Sequence, residues 1–170
     1  MNSIAIIGNA PYLNIKLGSY IDSFDEVVRF NRFIIDGHEE FIGKKTTIWC
    51  CNHFVYQEFK DTKKFSNFKN NNKIWHVLNN YWIIENKYGF KPSAGISAIY
   101  NALNLGYTNV FYYGIGKFGK NKTHHYFSEK KTKKHLYGPH NPKKEVEFIN
   151  NLELKNKIYT IKPQLRKHIL

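Results

Sequence analysis

Three asparagines, a serine at the head of a helical pattern and a set of histidines are the side chains whose types and spacing could do chemistry in this 170-residue sequence. Asn9 in GNAP, Asn31 in RFN and Asn52 in CCN each follow a short apolar run. An asparagine amide carries both a donor and an acceptor, so it can read ribose hydroxyls, base edges and phosphate oxygens. Asparagine also simply favours turns, and the three positions fit either reading. Ser93-Ala94-Gly95 opens the clearest helical pattern. Free N–H groups at a helix start, a small hydroxyl and a glycine that lets the backbone come close make an anion site. Gly8 gives the same backbone freedom after the first run. Gly116, in Gly114-Ile115-Gly116 after the fifth run, is a weaker signal of the same kind. His124-His125-Tyr126 and His140 sit in a lysine-rich stretch, with Glu145 five residues beyond His140. A histidine can take a proton from a hydroxyl near neutral pH, although histidines in such a stretch are more often just solvated.

What is missing narrows the chemistry. There is no GxxxxGK[ST] phosphate loop and no GxGxxG after the first run. Cys50 and Cys51 are adjacent, and neither Cys-x-x-Cys nor His-x-x-x-His zinc spacing occurs. No Asp-x-Asp follows a strand-like run to bridge a metal to a diphosphate. The pattern is that of a polar ligand held by amides and backbone, with histidine as the available base.

These residues need a scaffold that brings loops together. Short β-branched and aromatic runs at Ile4–Ile7, Val27–Phe30, Thr46–Cys50, Lys73–Leu78, Val110–Tyr113 and Lys157–Ile161 read as buried strands. Ala94–Leu105 repeats Ile96, Ile99, Tyr100 and Leu103 at helical spacing, between a capping Ser93 and a terminating Gly106. Glu145–Leu152 is a shorter helix. Strands alternating with helices predict a mostly parallel sheet covered on both faces, and ligands of such sheets bind beyond the carboxyl ends of the strands. Residues 117–140 read either as a solvated surface loop or as a lid that closes over a site.

The length suits one domain, 1–170, with a sizeable core. With 42% hydrophobic and 16% aromatic residues the chain is not of the disordered class. No stretch near twenty apolar residues and no signal-peptide pattern occur, and the adjacent cysteines suit a reducing compartment, so a cytoplasmic location is expected. The formal charge of +13 implies an anionic partner, compatible with peripheral contact to an anionic membrane. The lysines do not interleave with aromatics along a strand, so no nucleic-acid partner is expected.

Taken together the motifs resemble those of the sialyltransferases. IAIIGNAPYL followed by LGSYIDSFDEVVRFNRFIIDGHEEFIGKKTT resembles their long donor-binding motif. PSAGISAIYNALNLGYTNVFYYGIG resembles the short motif, with Ala94 where the family commonly has threonine. HHYF resembles the His-His-Tyr motif, and His140-x-x-x-x-Glu145 the terminal His-x4-Glu motif. The resemblance implies a single Rossmann-like domain of GT-A-like architecture. It implies transfer of sialic acid, or a related ulosonic acid, from a CMP-sugar to a glycan or glycolipid hydroxyl, with inversion and no metal cofactor. On the same ground Asn9 and Asn31 would contact the CMP phosphate and ribose, Asn52 would add a nucleotide contact, and Ser93 and Gly95 would hold ribose or phosphate. His140 matches the general base, and His125 and Tyr126 match residues near the leaving phosphate. A CMP-sugar hydrolase, a noncatalytic sugar-nucleotide binder and a basic nucleic-acid module are the alternatives.

Overall fold

Isoleucine, valine and aromatic residues crowd the strand-like runs with too few polar positions for a sheet wetted on one side, so both faces must be covered. The computed structural model describes residues 3–10, 15–115 and 140–162. In chain order the elements are β1 (Ser3–Ile7), α1 (Gly18–Asp22), β2 (Glu26–Phe30), α2 (Glu39–Ile42), β3 (Ile48–Cys51), α3 (His53–Phe59), α4 (Lys63–Asn71), β4 (Lys73–His76), α5 (Leu78–Tyr88), α6 (Ala94–Asn104), β5 (Asn109–Tyr113), α7 (Pro142–Leu154) and β6 (Tyr159–Thr160). Each strand-like run forms a strand, with local corrections. The fourth stops at His76, because Leu78 already opens α5. The third starts at Ile48, just after Thr47, whose backbone already bonds to Val27 O and Lys73 N, while the hydroxyls of Thr46 and Thr47 accept from Arg29 and the Val27 amide. Helix α7 starts three residues before Glu145, since Asn141 caps it and Pro142 supplies its first φ.

The six strands among the described residues are all parallel, in the order β4-β3-β2-β1-β5-β6. The sheet grows from β1 through β4 in one direction, then resumes on the other side of β1 with β5. In open parallel sheets such a reversal marks the ligand crevice, which places it here at the carboxyl ends of β1 and β5. Strand residues alternate between two helical layers. Ile4, Ile6, Val28, Cys50 and Val110 meet α5, α6 and α7 through Ile84, Ile96, Ile99 and Phe148. On the other face Ala5, Ile7 and Val27 meet Leu17, Ile21 and Ile42 of the α1–α2 side. Trp49 and Cys51 meet Val55 and Phe65 of α3 and α4. Cys50 and Cys51 are both buried and free. Burial pushes both thiols up, that of Cys51 to about 12. No helix among the described residues is long and apolar enough to cross a membrane.

The charged residues of the first long motif fasten this framework. Arg29, on β2, is 1% exposed. Its guanidinium donates to Ile42 O (2.7 Å), Gly43 O (3.0 Å), Lys45 O (3.1 Å) and Thr46 Oγ1 (3.0 Å). Asp22 accepts from the backbone of Lys44 and Lys45 at 2.8–3.0 Å. Asp25 accepts from Ser3 N (2.7 Å) and Ser3 Oγ (3.0 Å), and these bonds hold its carboxyl below the usual range. The turn before β3 is thus built on one buried cation and one carboxylate.

Arg29→Ala would leave several buried acceptors without donors, at a cost of about 3 kcal/mol or more. On the usual scaling for chains of this size that lowers Tm by roughly 6–12 °C. Arg29→Lys keeps the charge but not the forked donors, so it should recover only part of the loss. Scanning calorimetry of the two variants checks this, and a wild-type Tm for Arg29→Ala would contradict it.

Candidate active site

The crevice begins where two loop backbones touch. Gly8 N donates to Tyr113 O at 2.7 Å. A Cβ on Gly8 would lie 2.1 Å from Gly114 O and 2.9 Å from the Ile115 side chain, so only glycine fits there. Gly114 has φ +67°, again in the region that favours glycine. Ile115, 6% exposed, wedges against the start of α6, where a Cβ on Gly95 would come within 2.6 Å of it. The first turn of α6 is thereby drawn to the rim of the β1–β5 crevice.

The three asparagines link neighbouring strand exits. Asn9 Nδ2 donates to Phe30 O at 3.2 Å, reaching from the end of β1 to the end of β2. Asn31 has φ +51°, a conformation that asparagine tolerates better than most residues. Its Oδ1 accepts from Asn52 N at 2.9 Å, and its carbonyl accepts from Trp49 Nε1 at 2.7 Å. Asn52 caps α3, its Oδ1 accepting from Val55 N at 2.9 Å. Each amide therefore spends one atom on the scaffold. Asn9 Oδ1, Asn31 Nδ2 and Asn52 Nδ2 make no hydrogen bond to described residues.

Ser93 caps α6 as expected and also takes a role the sequence did not reveal, as the partner of Glu145. Its Oγ caps α6 by accepting from Ile96 N at 3.5 Å, and it donates to Glu145 Oε2 at 2.9 Å. Its N–H donates to Glu145 Oε1 at 2.7 Å. Ser93 is thus already engaged by a carboxylate, and the first-turn N–H groups of Ala94 and Gly95, which lack intrahelical acceptors, are the donors left for an anion. Glu145 itself is 0% exposed. Burial pushes its carboxyl above the ordinary range, while the two Ser93 bonds and the nearby His140 pull it back.

His140 stands just before the Asn141 cap of α7, with Nδ1 3.4 Å from Lys91 O. The tautomer that donates to this carbonyl keeps its lone pair on Nε2. The Ser93–Glu145 pair thus joins the His140 segment to the head of α6, which Ile115 joins to the Gly8–Asn9 loop. The described candidate residues Gly8, Asn9, Asn31, Asn52, Ser93, Gly95 and His140 are linked through these contacts along the carboxyl edge of the sheet. Gly116, His125, Tyr126 and the 117–140 segment short of His140 lie outside the described residues. The Asn141-Pro142 pair was the available signal for Glu145, since a helix starting there puts that residue one turn inside.

A model of glycosyltransferase family 29 (sialyltransferase) matches residues 1–80 and 53–157. A type 2 lactosamine alpha-2,3-sialyltransferase of Rattus norvegicus is 46% identical over 43 residues, which span 25% of this chain and only 13% of that protein. A mammalian sialyltransferase solved with Gal-beta-1-3GalNAc-ortho-nitrophenol superposes with a TM-score of 0.70 at 22% identity, over 95% of this chain and 69% of that one. The sialyltransferase CstII of Campylobacter jejuni in complex with CMP-3FNeuAc gives 0.60 at 17% identity, over 96% and 83% of the two chains. Both structures share the fold.

Glu145 also generates a pH signature. A carboxyl whose pKa is higher in the folded chain than in the unfolded one is ionised at a cost to the fold. That cost is absent in acid, grows as pH rises through the unfolded value of about 4.3, and is complete above the folded value. Relative to wild type, Glu145→Gln should therefore gain stability across that rise, read by urea denaturation at stepped pH. A wild type that gains on the variant instead would mean that the Ser93 bonds outweigh burial.

Proposed function

The chain belongs to glycosyltransferase family 29, the sialyltransferases, and on that footing we propose that it moves sialic acid, or a related ulosonic acid, from a CMP-sugar to the hydroxyl of a glycan or glycolipid acceptor. The observation that carries the reading is the Ser93–Glu145 pair, which ties the segment bearing His140 to the head of α6 beside the crevice. In this reading the acceptor oxygen attacks the anomeric carbon from the face opposite CMP, so the configuration inverts. His140 Nε2 takes the hydroxyl proton as that bond forms, a contribution typically worth about 10²–10⁴-fold. The bond to CMP breaks, and its electron pair leaves with the phosphate.

The departing phosphate carries little charge compared with a diphosphate, so fixed dipoles suffice to receive it. The N–H groups of Ala94 and Gly95 and the spare amide atoms of Asn9 and Asn31 fit that task. Asn52 Nδ2 would serve the nucleotide farther along the same edge. By family resemblance His125 and Tyr126 act near the leaving group, Gly116 borders the donor, and the 117–140 segment excludes water from it. No metal step is invoked. The two buried, free cysteines suit action in a reducing compartment.

CMP should raise Tm more than UMP or GMP does, because a ligand bound only by the folded state stabilises it. His140→Ala should keep the CMP shift and lose transfer from CMP-sialic acid by about 10²–10⁴-fold, with EDTA leaving the wild-type rate unchanged. A missing CMP-selective shift would sink the donor assignment. A His140→Ala variant of normal rate would sink the base.

A further inference from the structure

A groove runs along α7, on the sheet face that also carries α5 and α6. It joins two cavities of about 390 and 560 Å³, both lined by Tyr88, Phe148, Leu152 and Lys155. Its floor is aromatic. The Tyr88 ring stands edge-on to Phe148 at 5.0 Å and to Tyr100 at 6.4 Å, yet Tyr88 stays 38% exposed. Its walls are cationic: Lys87, Lys144, Lys155 and Lys157 line it, against the single acid Glu147. Of these, Lys144 Nζ donates to Gly89 O at 2.8 Å, and Lys87 lies over the Tyr88 ring at 5.4 Å. None of the four lysines has a carboxylate within ion-pair distance among the described residues.

Four ammonium groups spaced along one groove, against a single carboxylate, give it a positive potential that attracts an anion. The exposed Tyr88 ring can accept the C–H face of a pyranose ring, and amides such as Asn104, Asn151 and Asn156 can meet its hydroxyls. An acyl chain would find too many polar rims here. The chain's own terminal segment is itself basic and would be repelled. One end of the groove adjoins the candidate base: Phe90 and Lys144 line it, Lys144 N bonds to the Asn141 cap, and His140 faces Lys91 O. From there the 13 residues of α7 carry it about 20 Å to the opposite edge of the sheet, where Gly106, Tyr107 and Lys157 close it.

We propose that this groove is the docking site for the acceptor chain, and that the acceptor is an acidic oligosaccharide whose carboxylate-bearing sugars lie along α7 while its terminal hydroxyl reaches His140. The proposal rests on the glycosyl-transfer reading above and adds the class of acceptor. It makes acceptor binding salt-sensitive, because the lysines that supply it are exposed.

The test uses Lys155→Glu/Lys157→Glu, with Lys63→Glu/Lys69→Glu on α4 as a control of equal net charge on the other face. Binding of a sialylated oligosaccharide is measured by calorimetry beside a neutral oligosaccharide of the same backbone, and the CMP shift in Tm is recorded for each protein. The groove variant should bind the acidic chain about tenfold more weakly, with the neutral chain and the CMP shift unchanged and the control like wild type. Equal loss in the control would overturn the proposal, as would an acidic chain bound no better than the neutral one. An oligonucleotide of equal charge that displaces the glycan with equal affinity would overturn it too. A wild type that binds the acidic chain but shows no CMP shift would sink the transfer reading while leaving the groove's ligand class standing.

Discussion

A carboxylate sealed from water and met by two donors of one serine sets the geometry of this molecule's working edge. When ionised, Glu145 loses its hydration, and the Ser93 N–H, the Ser93 hydroxyl, the nearby His140 and the positive end of α6 offset part of that loss. Such a contact is a poor source of stability and a strict constraint on position, because a small displacement forfeits the bonds while keeping the burial. Two helices that start 48 residues apart in sequence are therefore held head to head. The sheet beneath would tolerate many arrangements of its upper loops, and this pair selects one.

The first fifty-odd residues divide their labour by charge. Asp22, Asp25 and Arg29 work before β2 and β3, at the amino edge, where they pin turns through backbone groups. At the carboxyl edge the corresponding work is done by neutral amides, Asn9, Asn31 and Asn52. Fixed charges suit a framework that never changes its partners. Neutral dipoles suit an edge that has to accept an anion and release it, since they attract without holding a full counter-charge in place.

The strands were legible because a strand buried on both faces needs a dense apolar run, and each run here ends in Gly, Asn or another polar residue. Helix α6 was legible from its four spaced apolar residues and its serine cap. Helices α3, α4 and α5 were not, because among the described residues each anchors itself with a single buried side chain, Val55, Phe65 and Ile84, amid polar and partly exposed aromatic neighbours. The positions of Asn9 and Asn31 could be read as strand exits, but their attachment to Phe30 and Asn52 could not. The Ser93–Glu145 bond joins residues 52 apart, and a nonlocal pair leaves no periodic trace in a sequence.

Cys50 and Cys51 sit side by side on a strand, so their thiols enter different layers, one beneath α6 and the other beneath α3 and α4. Neither can be alkylated until its own layer parts from the sheet. The two sulfurs are thus natural reporters of separate opening events, distinguishing fluctuations of the half that carries the helix heads from those of the opposite half.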